Sequence, residues 1–172
     1  MEEHFIIPLS GLAAGRKTFR WQVEKAFFGE FDNTDIQDAD IQVEVVLVKV
    51  GKDLFIDLTL DGTVTVICDR CLSPLVLPVE ASPRFVVRFD PSAPEMEGDR
   101  EVLVVEDPAA LDMRQVVYDY VYMSLPIQRV HPEGECDPET VKYLSAGEPV
   151  EEETPEETSP FAALGMLLNK KK

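Results

Sequence analysis

Apolar residues fall at every second position along two adjoining segments of this chain, and that period restricts the fold more than any other feature. Ile41-Gln42-Val43-Glu44-Val45 alternates strictly and runs on through Val46, Leu47, Val48 and Val50. Gly51-Lys52-Asp53 follows as a turn signal, and Leu54 to Leu60 alternates again. Successive strand side chains point to opposite faces, so the pattern buries one face of a sheet and wets the other. An amphipathic helix would need a period of about 3.6 instead. Antiparallel strands are the usual form of a sheet with one wet face.

The rest of the chain fits around this core. Phe5-Ile6-Ile7-Pro8-Leu9 reads as a short first strand, and Thr18 to Phe28 as a half-buried one. Asp61-Gly62 marks a hairpin turn, after which Thr63 to Ile67 resumes a β-branched run. Leu75 to Glu80 and Arg84 to Phe89 are two short strands, which Pro78 and Pro83 keep from central, fully paired positions. Asp90 to Arg100 is a loop and Glu101 to Glu106 a further strand.

Asp112 stands as an N-cap, with Gln115 at capping-box spacing. A helical stripe of Leu111, Val116, Tyr120 and Met123, flanked by Val117 and Val121, runs from it to Pro126. Gly147 to Thr158 holds six Glu, two Pro and Val150 as its only large apolar side chain. Such a stretch cannot bury enough surface to order itself, so an acidic disordered linker is expected over 147–158. Ser159-Pro160 then opens a short helix with Phe161, Leu164, Leu167 and Leu168 on one face and Lys170 to Lys172 at its end. The expected fold is α+β. A mostly antiparallel β domain over 1–146, a sheet or partly open barrel with one main helix, is followed by the linker and a tethered C-terminal helix over 159–172.

Charge narrows the partners. Sixteen Lys and Arg against 33 Asp and Glu leave a net charge of −17. A surface this acidic does not wrap nucleic acid, although a local basic patch could touch it, and it suits basic proteins. The densest basic stretch is Arg16, Lys17, Arg20 and Lys25, with Phe19 and Trp21 interleaved, a pattern that serves single-stranded RNA or merely an amphipathic strand. Three cysteines are too few for a disulfide scaffold. The first residues lack a signal peptide's basic start, and no apolar run is membrane-length, so a cytoplasmic protein with reduced thiols is expected.

Cys68-Asp69-Arg70-Cys71 is a C-x-x-C at the end of a strand. Two thiolates at that spacing can grip a tetrahedral zinc from a turn. A redox pair would need a helix N-terminus after the first cysteine, and here Pro74 and strand-like residues follow. His131-Pro132-Glu133-Gly134-Glu135-Cys136 offers two further ligands, making a Cys3His set that would be structural. The alternative reading is a zinc-dependent enzyme acting on a small molecule. His131-Pro132-Glu133 matches the H-x-E of zinc deaminases, but their P-C-x-x-C lies downstream and opens a helix. Otherwise Cys68, Cys71 and Cys136 are unremarkable small residues and His131 a loop histidine.

Several of these pieces, in order, resemble the YceD family of large-ribosomal-RNA accumulation proteins. They are Cys68 to Pro74, the run from Glu101 to Ser124-Leu125-Pro126, the Val130-His131 to Cys136 loop, and Ser159-Pro160-Phe161-Ala162-Ala163-Leu164. One branch of that family carries a second full cysteine cluster where this chain has His131 and Cys136. The resemblance implies a non-enzymatic bacterial factor for 23S ribosomal RNA synthesis, processing or accumulation. Its partner would be a large-subunit ribosomal protein or a precursor particle, with no small-molecule substrate. The apolar face of Phe161, Leu164, Leu167 and Leu168, too short to be a stable helix alone, must dock either back onto the β domain or onto a partner, for which it would be the binding face. By their basic character alone, and not by the resemblance, Arg16, Lys17, Arg20, Lys25 and Arg70 are the candidates for RNA contact.

Overall fold

The structure is a computed structural model that describes residues 5–145. The chain divides into two compact units, residues 1–136 and 137–172. Among the described residues of the first, nine strands and two helices follow the order β1 (Ile6–Pro8), β2 (Gly15–Glu24), α1 (Lys25–Gly29), β3 (Asp38–Val50), β4 (Asp53–Ile67), β5 (Pro74–Ala81), β6 (Arg84–Arg88), β7 (Met96–Glu97), β8 (Arg100–Val104), β9 (Ala110–Asp112) and α2 (Arg114–Ser124). The second contains α3 (Pro138–Ser145).

The alternating segments form the centre of a seven-stranded sheet, ordered β2-β3-β4-β6-β8-β7 with β5 also on β4. All its pairings are antiparallel except β6 with β8. The sheet does not close into a barrel among the described residues. β3 and β4 meet in a hairpin whose two-residue loop, Gly51-Lys52, puts Gly51 at φ +63°, which glycine adopts without strain.

β4 is one strand of 15 residues, not two strands around a turn. Asp61-Gly62 lies inside it, opposite Gln42 and Ile41. A Cβ at Gly62 would stand 2.2 Å from the Asp40 carbonyl oxygen, so the glycine marks a close approach of two backbones. The far edge of β4 is shared: β5 pairs with its second half and β6 with its first. Pro83 therefore sits in a short connection, where its carbonyl accepts from the Leu58 N–H at 3.0 Å. β6 is interior, flanked by β4 and β8, contrary to expectation.

One face of the sheet is apolar and buried: Ile41, Val43 and Val45 with Ile56, Leu58, Leu60, Val64 and Val66. Each fully buried side chain of this size contributes about 1.5–3 kcal/mol. The expected strand at Thr18–Phe28 stops at Glu24. The next residues turn into α1, which buries Phe27 and Phe28. α2 begins at Arg114 with Met113, not Asp112, at its N-cap; Asp112 ends β9 and accepts the Arg114 N–H at 2.9 Å. Its buried residues are Val117 and Val121, one turn apart and in line with buried Met113, whereas Met123 is 66% exposed. Three helices, α1, α2 and α3, are present among the described residues, and α2, with 11 residues, is the longest of them.

α3 opens with Asp137, whose carboxylate accepts the Thr140 hydroxyl at 2.7 Å, and with Pro138 at the first helical position. The linker over 147–158 and the terminal helix over 159–172 lie outside the described residues.

Candidate metal centre

The turn between β4 and β5 carries the C-x-x-C. Ile67 pairs with Pro74, leaving Cys68 to Ser73 as the hairpin tip. The Cys68 N–H donates to the Ser73 carbonyl at 2.9 Å and the Leu72 N–H to the Cys68 carbonyl at 3.0 Å. Reversing the chain this tightly drives Leu72 to φ +60°, the left-handed region. The context is a hairpin, not the helix N-terminus that a thioredoxin-like pair or a deaminase requires.

The segment after α2 folds back onto this tip. The Asp69 N–H donates to the Arg129 carbonyl, and the Arg129 N–H donates to Asp69 Oδ2, both at 2.8 Å. The Arg129 guanidinium also lies 3.3 Å from Asp35, whose carboxylate accepts the Tyr122 hydroxyl at 2.7 Å. These bonds hold the Asp35 carboxyl below its ordinary range, the Tyr122 bond most and Arg129 next. No periodicity in the sequence signals this clasp, because its halves lie 60 residues apart.

The clasp delivers His131 and Cys136 to the cysteine turn. The ligand atoms of Cys68, Cys71, His131 and Cys136 all lie within 4.8 Å of one another. The three cysteines are buried and free of disulfides. His131 Nε2 stands 3.1 Å from the Pro74 carbonyl oxygen. A carbonyl only accepts, so Nε2 is the protonated nitrogen, and Nδ1 faces Cys71 Sγ at 3.4 Å. A ligating histidine is usually oriented in this way by a bond from its other nitrogen.

The thiols are electrostatically unequal. Burial raises the Cys68 pKa, but the backbone N–H groups of Cys71, His131 and Arg70 and the Cys71 thiol outweigh it and bring the value down to about 6. The Cys136 thiol is pushed up by burial and by bonding to Cys71 and Cys68. The His131 pKa is raised, first by its bond to Cys68, against its own burial. Three sulfurs and one imidazole nitrogen suit a borderline-soft divalent ion in tetrahedral geometry. Four such ligands leave no position open for water or substrate.

A family model described as large ribosomal RNA subunit accumulation protein YceD matches residues 56–168, more than half of the chain. The chain belongs to the YceD family. No curated protein and no solved structure matches it. The match takes in all four cysteine and histidine positions of the cluster. Its family description names ribosomal RNA accumulation and no enzymatic reaction.

The basic residues do not form one patch. Arg16 and Arg20 stand on the outer sheet face, and Lys17 shares the opposite face with Phe19 and Trp21. Arg20 pairs with Glu44 at 2.6 Å, and Lys25 lies in α1. Arg70 is exposed at the hairpin tip, with no ion pair among the described residues. Phe161, Leu164, Leu167 and Leu168 lie outside the described residues. No helix among the described residues is long and apolar enough to cross a membrane.

Proposed function

We propose that this YceD-family protein is a non-enzymatic factor of large ribosomal subunit assembly, needed for 23S ribosomal RNA synthesis, processing or accumulation, and that it works by binding. The family match over residues 56–168 carries the reading. In this reading Cys68, Cys71, His131 and Cys136 hold a structural zinc, supported by their mutual approach within 4.8 Å. The ion cross-links the β4–β5 turn to the segment after α2. The rival, a zinc enzyme acting on a small molecule, needs an open coordination position, and four protein ligands fill the tetrahedron.

The net charge of −17 favours a basic ribosomal protein, or a precursor particle whose RNA charge is already covered, as partner in the cytoplasm. Phe161, Leu164, Leu167 and Leu168 serve as a second, tethered anchor. Direct RNA contact is limited to cations such as Arg70, Arg16, Lys17, Lys25 and Arg20. A depletion strain run on a sucrose gradient tests the function. The expected result is a deficit of large subunits with accumulation of unprocessed precursor RNA. Normal large-subunit levels and normal processing refute it.

A further inference from the structure

The outer face of the sheet holds an exposed apolar corner beside a bed of carboxylates. Leu72 is 71% exposed at the hairpin tip, in a left-handed conformation that glycine would adopt at lower cost. Neither burial nor backbone preference accounts for a leucine there. Ile67 lines one shallow concavity with Leu72, and Val76 lies one rung further along; both are exposed on the outer face of β4 and β5.

Moving away from the tip, the strand register defines three further rungs on the same face. The first joins Asp38, Thr65 and Val76, and the next joins Glu24, Asp40, Thr63 and Pro78. The third joins Gln22, Gln42, Asp61 and Glu80. Alternate residues along a strand are about 6.8 Å apart, so the strip from Ile67 to Asp61 is about 20 Å long. Its rungs carry five carboxylates and no lysine or arginine. None of the five has an ion-pair partner among the described residues.

We infer that this strip is the docking surface for an extended, lysine- and arginine-rich protein segment that carries an apolar residue at one end. The apolar end covers Leu72, Ile67 and Val76, and the cationic remainder lies along Asp38, Asp40, Asp61 and Glu80. Charge complementarity selects this occupant. A second copy of a chain with net charge −17 would bring acid to acid, and RNA would meet five carboxylates against Lys25 beside Glu24 and Arg70 at the tip, Arg129 being paired with Asp35 and Asp69. The inference rests on the binding-factor reading and assigns its protein partner a place.

The test uses the full chain and a dye-labelled synthetic peptide of two leucines followed by five lysines, with fluorescence anisotropy as readout. Binding is expected to saturate and to weaken with salt. Leu72→Ser should weaken it about tenfold, as loss of an anchor residue does. Leu72→Gly should weaken it equally while melting no lower than the parent, which separates lost contact from lost fold. Asp61→Asn with Glu80→Gln should flatten the salt dependence.

Equal binding by Leu72→Ser and the parent overturns the assignment. So does equal binding of a peptide with the leucines replaced by glycine, saturable binding of a labelled oligouridine that Leu72→Ser weakens, or a dimer in sedimentation equilibrium that Leu72→Ser dissociates. Co-sedimentation with large-subunit precursors is measured in parallel. If the parent fails to co-sediment, the binding-factor reading fails. If Leu72→Ser co-sediments as well as the parent, only the surface assignment fails.

Discussion

Replacing Gly62 with alanine places a methyl group 2.2 Å from the Asp40 carbonyl oxygen and 2.6 Å from the Ile41 Cα. Both contacts are backbone, in the middle of the β3–β4 ladder, so no side chain can swing aside. The two strands must spread locally. Overpacking of this kind costs about 1–3 kcal/mol, and weakening one or two adjacent ladder hydrogen bonds adds about 1 kcal/mol each. A loss of about 3 kcal/mol is expected, which lowers the melting temperature of a domain this size by about 10 °C. Gly51→Ala is the control, because Gly51 has positive φ but nothing within 4 Å of its Cβ position. It should lose only about 1 kcal/mol. Thermal and urea melts followed by circular dichroism give both numbers. If Gly62→Ala melts within a degree or two of the parent, or loses no more than Gly51→Ala, the close-approach account is wrong.

Other outcomes follow from the cluster and the ion pairs. Cys136→Ser should purify with well under one zinc per chain by elemental analysis, against one for the parent, and should melt lower; equal zinc content removes Cys136 from the ligand set. Asp69→Ala removes the acceptor of the Arg129 N–H and should weaken zinc retention against a chelator about tenfold, the lower end of the effect of outer-shell partners. Arg88 bonds to Glu97 and holds its carboxyl below the ordinary value of 4.5. Because the folded pKa is the lower one, this pair stabilises the fold above pH 4.5 and the contribution fades as pH falls through the folded value. Glu97→Gln should therefore melt below the parent at neutral pH, with the gap closing in acid; a gap that stays constant down to about pH 3 contradicts the assignment.

What could be read from the sequence followed the range of the forces involved. β3 and β4 were legible because period-two burial is written residue by residue, from Ile41 to Val50 and from Leu54 to Leu60. Asp61-Gly62 misled because the dipeptide has a local meaning as a turn, whereas its actual constraint is the backbone of Asp40 across the sheet. Phe27 and Phe28 continued the strand's composition, and only tertiary packing turns them into α1. Asp137-Pro138, an acid followed by proline, is a locally written start for α3. The cysteine and histidine types were legible as metal chemistry. Their convergence depends on the Asp69–Arg129 clasp, which no local pattern announces. Near Arg16 the sequence shows a basic stretch but not its faces, because a strand sends Arg16 and Lys17 to opposite sides of the sheet.

The separation of the two halves of the cysteine–histidine cluster also sets an order in time. Cys71 and His131 are 60 residues apart, with β5 to α2 lying between them. At about 5–20 residues per second, a ribosome finishes the first half some 3–12 seconds before the second. During that interval the β4–β5 hairpin can pair, but its thiols face solvent without their later partners. Closure waits for α2 to dock and for Arg129 to reach Asp69, a contact whose loop-closure entropy is met only after the sheet is laid down. The cluster is thus the last part of the first unit to be completed. A nascent chain arrested before Cys136 should carry an accessible thiol pair that a chain released beyond it has hidden.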